Sequence, residues 1–293
     1  MLLFVALLML VPSCTDKEEP IPAYLYIPLI ELEVSTDGTQ GSNAHDILDA
    51  WVYVNGQLIG AFEMPATIPI LASGNSRINV FAGVKDNGLT NKRIRYPFYR
   101  SFDTDMDLTP GKVDTLIPKI VYSQNAKFSW LEDFEDGSVS LEKSGSFTTV
   151  DSLYITENPA DVYAYNGTTN LRSGAVDIPG GAHVFENSTI QSYALPRSGQ
   201  DIYLELNFKC NTETVIGLYP ITSNVVQGFP LVNLFSTVDE FGEMQWKKVY
   251  ISLVADVNNP EYAGAEFRPF ISAQTNRAEE SKLFFDNIKL VHF

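Results

Sequence analysis

"DAWVYVNGQLIGAF", Asp49 to Phe62, is the stretch on which the fold turns. Asn55-Gly56 supplies the two residues that most readily take positive φ, and the two-residue type I′ turn of a β-hairpin needs both. The flanks, Trp51 to Val54 and Gln57 to Phe62, carry the β-branched and aromatic side chains of strands. The same texture continues outward. "AYLYIPLIELEV", "ATIPIL", "RINVFAGV", "IRYPFYRSF" and "KVDTLIPKIVY" are separated by "ASGNS", "KDNG" and "LTPG". Pro28 suits an edge strand or a bulge. About six or seven short strands in roughly 100 residues predict an immunoglobulin-like sandwich over residues 23–125. Nothing in the chain reads as a long amphipathic helix, so the expected class is all-β.

A second block covers residues 126–293. In "IYLELNF", Ile202, Leu204, Leu206 and Phe208 share one face, leaving Tyr203, Glu205 and Asn207 on the other. In "KKVYISL", Val249, Ile251 and Leu253 oppose Lys248, Tyr250 and Ser252. Four motifs follow in order: "WLEDFEDG", "NLRSGAVDI", "WKKVYISLVADV" and "KLFFDNIKLVHF". Together they resemble the landmarks of galactose-binding-like jelly rolls, a fold shared by many non-catalytic carbohydrate-binding modules. The resemblance implies glycan binding and a structural Ca²⁺ shared between Glu135 or Asp136 and Asp286. A sugar wants a flat ring beside hydrogen-bonding side chains, which makes Tyr203, Glu205, Asn207, Tyr250 and Arg268 the candidate ligand residues.

The chain opens on an apolar run, Met1 to Val11, too short to cross a hydrocarbon core of about 30 Å. It lacks the positive charges that begin a signal sequence, which points to a start a few residues upstream. Val11-Pro12-Ser13-Cys14 resembles a bacterial lipobox. Residues 1–13 are then a lipoprotein signal peptide, and Cys14 is the acylated first residue of the mature chain. The acidic tether over residues 14–22, with "TDKEE" behind the cysteine, resembles the export signal of Bacteroidota surface lipoproteins. The expected location is the outer membrane, facing out of the cell. With Cys14 lipidated, Cys210 is the one thiol left, and burial at a strand end accounts for it.

Composition excludes some partners. Thirty-six acidic residues against 20 basic give a formal charge of −16, a surface that repels nucleic acid. Catalysis is not expected either. His45, His183 and His292 are scattered, and no nucleophile elbow or phosphate-cradling glycine loop occurs. The acid clusters "LEDFED" and "VDEFGE" lack the spacing of a jelly-roll glucanase. Asp103 to Asp107 fails as an EF-hand loop, because Leu108 and Asp114 stand where glycine and glutamate are needed. Alternation explains it better, with Phe102, Thr104, Met106 and Leu108 turned inward. "NKRIRYPFYR" interleaves basic and aromatic residues and reads as one strand face, with docking of an acidic partner or a lipopolysaccharide phosphate as the alternative. Asp114-Thr115-Leu116 and Asp151-Ser152-Leu153 match a short O-glycosylation signal. Beside glycan binding stands a second expected role, an accessory lipoprotein docked on an outer-membrane protein complex.

Overall fold

The computed structural model describes residues 19–165, 168–222 and 227–293. Cys14, its signal segment and most of the tether lie outside them. The first half is built from β1 (Ala23–Ile27), β2 (Glu31–Glu33), β3 (Asp49–Val54), β4 (Gln57–Glu63) and β5 (Ala66–Ile70). It continues with β6 (Gly74–Lys85), β7 (Arg93–Arg95), β8 (Phe102–Leu108), β9 (Val113–Thr115) and β10 (Lys119–Val121). β4-β3-β6-β7 form one sheet, with β8 also paired to β6, and β5-β1-β9 form another. Leu25, Ile27, Ile68 and Ile70 of one sheet pack with Val52, Val54, Ile78 and Val80 of the other. The result is the expected sandwich. Its hairpin turns at Asn55, φ 50°, and Gly56, φ 80°.

The strands are shorter and more numerous than the sequence suggests. Pro28 and Pro118 have no N–H to give a ladder, so each splits a run in two, leaving β1 and β2, then β9 and β10. "IRYPFYRSF" is not one strand face. β7 stops at Arg95, two residues before Pro97, and the chain turns to bury Tyr96, Phe98 and Tyr99. The aspartates of β8 point to water and Leu108 is buried, as alternation requires.

The second half runs through β11 (Lys127–Glu132), β12 (Leu141–Lys143), β13 (Tyr154–Thr156), β14 (Ala164–Tyr165) and β15 (Thr168–Thr169). Then come β16 (Ser173–Ile178), β17 (Gly181–Thr189), β18 (Ile202–Cys210) and β19 (Thr214–Ile221). β20 (Phe229–Leu234), β21 (Lys247–Ser252), β22 (Glu266–Arg277) and β23 (Ser281–His292) complete it. One sheet, here the inner, has the order β13-β16-β23-β18-β21 with β11 added to β23. The outer sheet has the order β12-β17-β22-β19-β20. Leu204, Leu206, Phe285 and Leu290 from the inner sheet meet Phe185, Ile216, Phe267 and Ile271 from the outer one. This two-sheet arrangement is a jelly-roll sandwich. Cys210 is buried in its core, and burial raises the thiol pKa. Among the described residues no helix is long and apolar enough to cross a membrane.

At β18 the inner sheet is closed on both faces. Every residue of β18 is buried, and Tyr203, Tyr250 and Val291 belong to the same apolar cluster as the core of the first half. The first sandwich sits on the inner sheet, pressing Tyr96 and Phe98 against Tyr203 at ring distances of 5.3 and 6.1 Å. Backbone joins in too. Asn87 donates to the Tyr250 carbonyl at 2.8 Å, and Ser252 N donates to Asn87 Oδ1 at 2.8 Å.

Candidate functional site

The face of β18 and β21 expected to hold a sugar is the face that the first sandwich covers. Tyr203, Glu205, Asn207 and Tyr250 are all buried. The Tyr203 hydroxyl donates to Asp86 at 3.2 Å, and the Tyr250 hydroxyl accepts from Asp46 N at 3.0 Å. Glu205 is fully enclosed. Its carboxylate accepts from Tyr96 at 2.7 Å and Tyr122 at 3.0 Å, and Lys248 Nζ lies 2.9 Å away. Burial pushes this carboxyl up, but Lys248, Lys289 and the Tyr96 hydroxyl outweigh it and hold the carboxyl below its usual range. These residues clamp the two halves together, so the expectation of a ligand surface at Tyr203, Glu205 and Tyr250 is corrected. Asn207 differs from them in lining a cavity between the halves.

Arg268 lies elsewhere, on the open side of the outer sheet. Strand alternation turns Phe267, Ile271 and Ala273 of β22 into the core, which leaves Arg268, Phe270 and Ser272 facing away from it. Across the ladder Arg268 stands opposite Tyr219, and Phe270 opposite Gly217. Gly217 is small for a reason: a Cβ there would come 2.1 Å from Phe270 Cζ. The Phe270 ring occupies that space, and Tyr219 leans on it with ring centroids 4.9 Å apart. The Tyr219 hydroxyl donates to Glu186 at 2.6 Å, and Ser144 donates to the same oxygen at 3.0 Å. Burial and Glu186 together raise the Tyr219 pKa, keeping its hydroxyl protonated. Arg268 donates to Glu142 at 2.7 Å and to Ser188 at 2.9 Å.

This face therefore carries the half-buried Tyr219 ring backed by the buried Phe270 ring, flanked by two carboxylates and a guanidinium, each held by a neighbour. Sequence reasoning found Arg268 and missed Tyr219, Phe270, Glu186 and Glu142. "IGLYPI" reads as plain apolar strand, and only the pairing of Gly217 with Phe270 exposes the platform.

The metal candidates separate likewise. Glu135 accepts from Leu171 N at 2.9 Å and Arg172 N at 3.0 Å. Asp136 closes its own turn on Ser138 N at 2.7 Å. Asp286 is fully buried, accepting from Ser173 Oγ, from Asn170 Nδ2 at 3.0 Å and from Asn287 N at 2.7 Å. Burial drives its pKa up to about 8 despite those donors, and the charge of Asp133 adds to the rise. Asn287 takes a left-handed φ of 49° at the bulge in β23, and both atoms of its buried side-chain amide are unpartnered. No three His, Cys, Asp or Glu among the described residues form a group able to hold a metal ion. Glu135, Asp136 and Asp286 are each met by neighbouring donors and are not gathered into one site, while the Asn287 amide beside Asp286 in sequence is left without a partner.

No family model matches the chain, and no curated protein matches it. Several solved structures do. One is a carbohydrate-binding module of the β-sandwich superfamily described for promiscuous specificity. It is 15% identical, with 83% of this chain and 85% of that one covered, at a TM-score of 0.41. A module specific for non-crystalline cellulose is 15% identical over 54% of this chain and 90% of its own, with a TM-score of 0.37. The family 30 module of a Clostridium thermocellum cellulosomal cellulase is 18% identical over 55% and 89%, with a TM-score of 0.35. Likeness of this degree carries no argument about what this chain binds.

Proposed function

We propose that this chain is a non-catalytic, glycan-binding lipoprotein that takes its sugar on the open face of the outer sheet. The observation that carries the reading is the half-buried Tyr219 ring, backed by the buried Phe270 that fills the space over Gly217, standing between Glu186, Arg268 and Glu142. The C–H face of a pyranose packs on a flat ring, and its hydroxyls take charged partners at the edges. Glu186 and Glu142 are each already tied to a neighbour, which suits holding hydroxyls better than moving protons. Once a glycan array has named the sugar, Tyr219→Ala is expected to weaken it about 30-fold, the loss of an anchor of about 2 kcal/mol. Calorimetry measures this, and undiminished binding with an intact fold sinks the reading.

A docking role on an outer-membrane protein has its own support in the loop after β20. There Phe235 is 71% exposed and Phe241 82% exposed, an apolar presentation unusual for solvent alone. In that case Tyr219→Ala leaves the association untouched.

The anchor in this proposal is a lipid on Cys14, with the acidic tether directing the chain to the cell surface. Cys14→Ala is expected to abolish fatty-acid labelling and release the protein from the membrane fraction. Continued labelling of that variant would remove the lipoprotein reading. A Ca²⁺ at Asp286 and Asn287 belongs to the same proposal. It would neutralise a buried carboxylate and pin the bulge of β23.

A further inference from the structure

A cavity of about 670 Å³ lies between the two halves, within the range of small-ligand sites. The first sandwich lines it with Lys85 and the Asn87–Thr90 turn; the jelly roll contributes Asn207, Trp246, Lys247 and Lys248. Two buried polar atoms have no partner. Asn207 is 2% exposed and its Oδ1 accepts nothing, while Trp246 Nε1 has no acceptor. Buried groups left this way are destabilising unless something enters to meet them.

Charge narrows the ligand. Acids outnumber bases 36 to 20 in this chain, yet three lysines line one cavity. Lys248 is engaged by Glu205, whereas Lys85 and Lys247 have no ion-pair partner among the described residues. Asp46 is the single acid in the lining, and burial pushes its carboxyl toward the neutral form. The Trp246 indole supplies a flat apolar surface, held edge-on by Tyr163 at 5.2 Å and 90°. A phosphate monoester dianion would satisfy the lysines but has no proton to give Asn207 Oδ1. A sugar hydroxyl both donates and accepts, so it can meet both orphaned atoms.

We propose that this cavity binds a carboxylate-bearing saccharide. The uronate group pairs with Lys85 and Lys247, the hydroxyls meet Asn207 Oδ1 and Trp246 Nε1, and the ring packs on the indole. The site is distinct from the outer-sheet face, so the two readings stand or fall separately.

The test uses the full chain and its tryptophan fluorescence, with Trp246→Phe identifying the reporting ring. The probes are the disaccharides of galacturonate, glucuronate and mannuronate, each against its neutral counterpart. At least one uronate should give a saturable change that weakens as salt rises. The Lys85→Ala/Lys247→Ala variant should weaken it at least tenfold without moving the melting temperature, since neither lysine is buried. Tyr219→Ala should leave it unchanged. Absence of a saturable response to all three uronates overturns the proposal. So does an equal response to the neutral sugars, or full retention in the double-lysine variant.

Discussion

Glu205→Ala is expected to lower the unfolding free energy by about 3–5 kcal/mol. The carboxylate is fully buried between the two halves. Removing it strands Lys248, whose side chain is 1% exposed, and leaves Tyr96 and Tyr122 without an acceptor. Lys289 depends on the site: burial, helped by the charge of Lys248, pulls its pKa down to about 7, and Glu205 and then Asp133 oppose that pull. Urea denaturation followed by far-UV circular dichroism measures the loss. A shift below about 1 kcal/mol would mean that water reaches the cluster. The paired change Glu205→Leu with Lys248→Met should recover much of the stability, because a buried ion pair often contributes little beyond an apolar pair of similar volume.

The second large effect concerns Asp286 and depends on pH. With a chelator present, its carboxyl ionises near 8 in the folded chain against an ordinary 3.8, so the native state holds a proton that the unfolded state has lost. The associated stability is whole below about pH 3.8 and drains away as the pH rises through 8. Calcium should reverse that loss, adding about 2.7 kcal/mol when free ion stands at 100 times its Kd. Asp286→Asn keeps the shape and cannot ionise, so in chelator the gap between its melting temperature and that of the wild type should change steadily between about pH 5 and pH 8.5, as the wild type alone loses the stability tied to Asp286. The variant should also ignore calcium. Superimposable wild-type curves in calcium and chelator at pH 8 would leave Asp286 as a buried acid with no cation.

The hairpin at Asn55-Gly56 was legible because turn geometry is local, written in two residues that tolerate positive φ. The alternation of β18 was legible for the same reason, and Ile202, Leu204, Leu206 and Phe208 do face the core. What the pattern could not say is what lies against the other side. Tyr203, Glu205 and Asn207 look like a solvated face by type, yet a second sandwich covers them. The hints were dispersed. "RYPFY" holds three rings that find their partners about a hundred residues onward, and Lys289 complements Glu205 from the far end of the chain. Tyr219 and Phe270 were hidden because each sits in a run that reads as core, and only strand register brings them together.

β23 is central to everything above: it lies between β16 and β18, also pairs with β11, and lends Val291 to the core of the first half. During synthesis, then, the jelly roll cannot close until residues 281–292 are made, and the first sandwich gains its seat only at that point. A nascent chain lacking them has an inner sheet split down its middle and a first sandwich with nothing to sit on. A chain that ends before β23 keeps most of the core of the first sandwich but leaves the aromatic face of Tyr96 and Phe98 without its seat.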